Sequence, residues 1–122
     1  MTNDEKSFER WNRLFAEKVM GWKLYHLGDG VGMWGVPEKA SYIEVKGDPD
    51  KFTPCTSIAD AWMGVEKMIE DGCDAELRVE TNEDSETFYS FSICGVAYER
   101  FWEDTAPLAI TKACLLAKGV GV

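Results

Sequence analysis

The chain reads as a layered α/β domain in which three helices cover a mostly antiparallel sheet. Three observations give that reading. Apolar residues recur at the three-and-four spacing of a helix face in three separated stretches. Between them lie short alternating segments bounded by glycine, proline and aspartate. The order is helix, two or three short strands, helix, hairpin, helix, which suits helices packed on a sheet. With 122 residues, 45% hydrophobic and 29% charged, residues 1–122 form one ordered globular domain.

The first helix is expected from Asn3 to Met20. Phe8, Trp11, Leu14, Phe15 and Val19 form its apolar face, and Gly21 is its left-handed C′ residue. Trp22 to Leu27 and Val31 to Val36 are strand-like, separated by the turn signal Gly28-Asp29-Gly30. Ser41 to Lys46 alternates as a half-buried strand and breaks at Gly47-Asp48-Pro49-Asp50. The central helix spans Ile58 to about Asp71. Ile58, Ala61, Trp62, Val65, Met68 and Ile69 make its core face, with Trp62 among them as core. Ser57 with Asp60 forms a capping-box-like start, and Gly72 ends the helix. Ala75 to Glu80 and Thr87 to Ile93 read as an antiparallel hairpin around a polar turn, with its acids on a solvated face or guarding an edge. Thr105 caps the last helix, which carries Pro107 in its first turn and ends at Gly119. That helix is apolar nearly all round, so it is buried on more than one side, within the domain or against a second subunit.

The net charge of −9 is uneven: Glu66 to Asp104 holds 12 acids and 3 bases, whereas the remaining residues balance. Such a surface repels phosphate backbones, so polymeric nucleic acid is excluded as a partner, though a small anion in a local pocket is not. No apolar run approaches the roughly 20 residues of a membrane span. The first ten residues lack the apolar segment of a signal peptide. The expected compartment is the cytoplasm, and no membrane partner is expected. Cys55, Cys73, Cys94 and Cys114 are widely spaced and His26 is the only histidine, so no zinc spacing exists. The four cysteines are expected as free, mostly buried thiols. Without a nucleophile–base constellation, the expectation is a non-enzymatic protein with no metal and no cofactor.

Two features suit a small ligand. Trp22, Trp34 and Trp102 lie at element ends or beside loops, where an indole serves packing or binding equally well; Trp11 is read as core. The approach to the central helix offers Thr53, Thr56 and Ser57 hydroxyls beside a helix N-terminus. Such a position suits phosphate or carboxylate, although simple capping accounts for the same residues. Arg100, between Tyr98 and Trp102, is either a ligand anchor or the answer to Glu99 and Glu103.

Three stretches taken together resemble a known family. They are Ala16-Glu17-Lys18-Val19-Met20-Gly21-Trp22; Phe52, Pro54, Thr56 and Ile58-Ala59-Asp60-Ala61-Trp62; and Ala106-Pro107-Leu108-Ala109-Ile110 with Ala113 to Ala117. In this order they are similar to the phage ABA sandwich domain family, small proteins of bacteriophages and prophages. The resemblance implies a three-layer α/β/α sandwich and a phage origin, but no activity. Cys55 stands where it implies a serine. A small phage protein made inside a bacterium invites one sharp expectation. It would sequester a cyclic nucleotide messenger of host antiphage defence, as a homodimer or higher homo-oligomer with the ligand between subunits. The rival expectation is an accessory protein that docks on a host or phage protein through its acidic region.

Overall fold

The computed structural model describes residues 3–27, 31–39, 42–94 and 103–122. Helix α1 (Asn3–Leu14) continues into a π-helical turn over Phe15–Val19, and the two replace the single regular helix expected. Gly21 at φ +73° supplies the left-handed exit, and Trp22 N–H donates back to Ala16 O at 2.9 Å. Three antiparallel strands follow in the order β1 (Lys23–Leu27), β2 (Val31–Lys39) and β3 (Tyr42–Gly47). A 3₁₀ turn over Pro49–Lys51 leads to α2 (Ile58–Glu70). Strands β4 (Ala75–Thr81) and β5 (Thr87–Ile93) form the hairpin, and α3 (Ala106–Ala117) closes the chain. Among the described residues the five strands thus divide into a three-stranded and a two-stranded antiparallel sheet rather than one.

The interior is built where the π turn, α2, α3 and β5 meet. Phe15, Ala16 and Val19 pack with Ala61, Val65 and Met68 and with Ile110, Ala113 and Leu115. Phe91 and Ile93 enter the same cluster from the hairpin. Gly64 is what lets α2 approach the π turn: a Cβ there would overlap the Phe15 ring and lie 3.1 Å from Val19 Cγ1. Helix α3 touches α1, the π turn, α2 and β5. Much of its all-round apolar character is therefore met inside one subunit.

Two expectations are corrected here. The apolar stripe of α2 is wider than the surface that covers it. Ala61, Gly64, Val65 and Met68 are buried. Ile58, Trp62 and Ile69 lie about 80° further round the helix and stay exposed, Trp62 by 42%. Trp62 is thus not core. Trp11 is half-buried against the cluster, with Lys112 Nζ 5.1 Å from its ring centre.

The second correction concerns the cysteines. Cys73 and Cys94 are joined by a disulfide, because the hairpin register sets Asp74 opposite Cys94 and brings their Cα atoms to 4.3 Å. Only Cys55 and Cys114 are free, and both are buried. Burial pushes the Cys55 thiol up from 9.0 to about 12, against the opposing pull of the Lys112 charge. Burial likewise pushes Cys114 up from 9.0 to about 12, with Lys118 opposing.

Candidate functional site

The helix mouth has the capping chemistry read from the sequence, and that chemistry fills it. Ser57 Oγ accepts from Asp60 N–H at 3.2 Å, while Asp60 Oδ2 accepts from Thr53 N–H at 2.9 Å. Cys55 N–H donates to Asn12 Oδ1 at 2.9 Å, and the amides of Thr56 and Ser57 both donate to Thr53 O. The Thr56 hydroxyl also turns inward, to Thr53 O at 3.4 Å. A carboxylate of the chain itself therefore stands at the positive end of α2, where a ligand anion was expected. Thr56 and Ser57 are thus engaged within the helix entry itself, and neither lines the hollows described below. Cys55 faces the interior, with its thiol 3.8 Å from Phe8 O, so a hydroxyl at that position would not line the mouth.

Of the two roles open to the tryptophans, packing and binding, Trp22 and Trp34 serve packing. Trp22 is 6% exposed and Trp34 is 2% exposed, so neither ring is open for a base to stack on. Trp22 instead meets Phe52 at a ring separation of 4.7 Å, and Phe52 in turn faces Phe15 at 6.0 Å. Arg100 and Trp102 lie outside the described residues.

What the fold does build is a pair of hollows on either side of the Pro49–Lys51 turn, both floored by Trp34 and Phe52. The larger encloses about 540 Å³ against α1, with Glu9, Asn12 and Arg13 on one wall and Asp50 and Thr53 on the other. The smaller encloses about 250 Å³, with Trp22 and Met63 deepening its floor and Lys46, Lys51, Asp48 and Asp60 around its rim. The ridge between them is stiffened locally, since Asp48 Oδ1 accepts from Asp50 N–H at 2.9 Å and Lys51 N–H donates to Asp48 O at 3.0 Å. Of the residues chosen from sequence, Trp34 lines both hollows, Thr53 the larger and Trp22 the smaller. Arg13, Lys46, Lys51 and Met63 join them without having been chosen. The sequence signal for them was weak: Lys46 and Lys51 bracket the Gly47-Asp48-Pro49-Asp50 break, and only the folded turn aims them at one hollow.

With this geometry in place, the comparison with known families is informative. The family model for the phage ABA sandwich domain matches residues 13–115. The chain belongs to the phage ABA sandwich domain family. This phage ABA sandwich domain carries the helices and antiparallel sheets that the family fold calls for, and the match covers every element from the end of α1 to most of α3. No curated protein and no solved structure matches it. No helix of the domain, among the described residues, is long and apolar enough to cross a membrane.

Proposed function

We propose that this phage ABA sandwich domain binds a small anionic ligand without turning it over, at the paired hollows astride the Pro49–Lys51 turn. The observation that carries the reading is a shared floor of Trp34 and Phe52 with Arg13 beside the larger hollow and Lys46 and Lys51 beside the smaller, each interleaved with carboxylates (Glu9 and Asp50, Asp48 and Asp60) that a bound anion must avoid by contacting the cations directly. The ligand class that fits a protein made in an infected host is a cyclic nucleotide messenger of antiphage defence, which the domain would sequester in the cytoplasm as a sponge. Useful sequestration needs a dissociation constant below about 1 μM, or roughly −8 kcal/mol. With Trp22 and Trp34 sealed, stacking contributes little. Charge-assisted hydrogen bonds at about 1.5–3 kcal/mol each must then carry most of the affinity. Lys46 and Lys51 beside the smaller hollow supply two such contacts, and Arg13 a third for a ligand that spans the turn into the larger hollow, with Met63 available to cover a base edge. Binding without turnover is consistent with the two free thiols, which are buried and protonated at neutral pH.

Thermal-shift screening against cyclic di- and trinucleotides and cyclic ADP-ribose isomers, followed by calorimetry, tests this reading. At least one ligand should raise the melting temperature, and Lys51→Glu should abolish the rise. If no nucleotide binds saturably, the sponge is excluded.

A second reading is favoured by a different observation. Ile58, Trp62 and Ile69 form an uncovered apolar stripe on α2, and the acid-rich hairpin follows directly in the chain. That combination suits docking on a basic host or phage protein. A partner captured by the intact protein and lost after charge reversal at Glu83, Asp84 and Glu86 would support it.

A further inference from the structure

Among the described residues strand β4 is the least covered element: every residue from Ala75 to Thr81 is exposed, including Leu77 at 37% and Val79 at 56%. Its partner β5 is paired on both sides, to β4 along its length and to Glu103 through Tyr89, with reciprocal bonds of 2.9 Å. Strand β4 has one neighbour among the described residues. Cys94 N–H donates to the opposite Asp74 O at 2.8 Å, and Asn82 N–H donates to the opposite Glu86 O at 2.9 Å. Even-numbered residues of β4 therefore direct their N–H and C=O groups at β5. By strand alternation, Leu77, Val79 and Thr81 direct theirs outward.

We infer that a second copy of this chain adds to the free edge of β4, antiparallel, on a two-fold axis through Val79, to make a four-stranded intermolecular sheet. The side chains choose both the occupant and the register. Glu76, Arg78 and Glu80 alternate in sign along one face of the strand. With Val79 on the axis, Arg78 of each copy stands opposite Glu80 of the other, Leu77 opposite Thr81, and Glu76 opposite Asn82, so no residue of β4 meets a like charge, and the first like pair, Asp74 with Asp84, falls beyond the strand. Shifting the axis to Leu77 would set Asp74 against Glu80 twice, and placing it on Arg78 would set that residue against itself. In the single subunit Arg78 turns back on Glu76 at 3.4 Å in a solvent-exposed pair, an arrangement it can exchange at little cost. An edge strand whose charges are self-complementary through a two-fold invites its own copy, whereas an edge guarded by one sign repels it. The remaining hairpin acids, Glu83, Asp84 and Glu86, belong to the turn beyond the paired stretch. The inference rests on neither ligand reading.

Sedimentation of the full-length protein over a dilution series tests it. The wild type should show a concentration-dependent doubling of mass. Val79→Pro removes only an outward N–H, so it should leave the hairpin folded by circular dichroism and make the protein monomeric. Arg78→Glu should weaken association roughly tenfold or more by opposing acids across the axis. Adding Glu80→Arg to it should restore association to near the wild-type level. Val79→Cys should cross-link the dimer on mild oxidation, since the native free thiols are buried. A wild type that stays monomeric at high micromolar concentration would overturn the inference. So would a dimer indifferent to Val79→Pro, or association seen only when a foreign basic strand is supplied.

Discussion

The helical interior and the β4–β5 hairpin solve the problem of stability in opposite ways. Around Phe15 the chain uses small residues at close approaches, with Gly64 and Ala61 on α2 and Ala109 and Ala113 on α3 letting three helices converge on one ring cluster. The hairpin places only β5 in that cluster, through Phe91 and Ile93, and leaves β4 held by its ladder, the Asn82 turn and the Cys73–Cys94 bond. Asn82 Oδ1 accepts from both Asp84 and Glu86 at 2.9 Å, which fixes the turn without any burial. Stability is thus concentrated in the interior, while of the surfaces free to bind the β4 edge lies where packing contributes little and the turn hollows open onto the margin of the core, over Trp34 and Phe52. This contrast fixes what each perturbation should do.

The largest effect is expected from alkali, through the two buried thiols of the interior. Cys55 and Cys114 have folded-state values raised from 9.0 to about 12, so their contribution is intact below pH 9 and lost as pH rises toward 12. Each thiol should remove about 1.4 kcal/mol per pH unit across that window. Urea unfolding at pH 8, 9.5 and 10.5 checks the slope, and replacing both cysteines by alanine should flatten it.

Phe15→Ala comes next, at about 3–5 kcal/mol, because it empties the ring site on which α2 closes. Removing the disulfide with Cys73→Ala and Cys94→Ala should cost about 2–4 kcal/mol. The loss should appear in hydrogen exchange as loosening of β4 and β5 ahead of the helices. Gly64→Ala should cost about 1–3 kcal/mol through overlap with the Phe15 ring, and Gly64→Ala in a Phe15→Leu background should cost less. The smallest effect should come from Val79→Ser, within about 0.5 kcal/mol for the unfolding of a subunit, because the side chain touches little of its own chain.

Local chemistry was legible in the sequence and long-range coverage was not. Ser57, Asp60, Gly21 and Gly72 act where their residue types said they would, since a cap or a left-handed exit is decided within a few residues. The hairpin followed from alternation around Thr81 to Ser85. Periodicity could show that α2 has an apolar side, but not that the covered arc would stop short of Ile58, Trp62 and Ile69, because that depends on where α3 and the π turn lie. The Cys73–Cys94 bond needed the strand register, which 21 intervening residues conceal. The helix entry is the instructive case. The Thr53 to Ser57 stretch offers capping and anion binding alike, and in the structure Ser57 caps Asp60 N–H while the Asp60 carboxylate reaches past the cap to Thr53 N–H and stands at the entry itself.

The most direct test of the account is a nucleotide titration followed by backbone and indole NMR shifts in the intact protein. The account predicts saturable shifts at Arg13, Lys46, Asp48 to Thr53 and the Trp34 indole, with the α2 entry at Thr56 and Ser57 unchanged. Shifts confined to β4 and β5, or no saturable shift with any nucleotide, would contradict it.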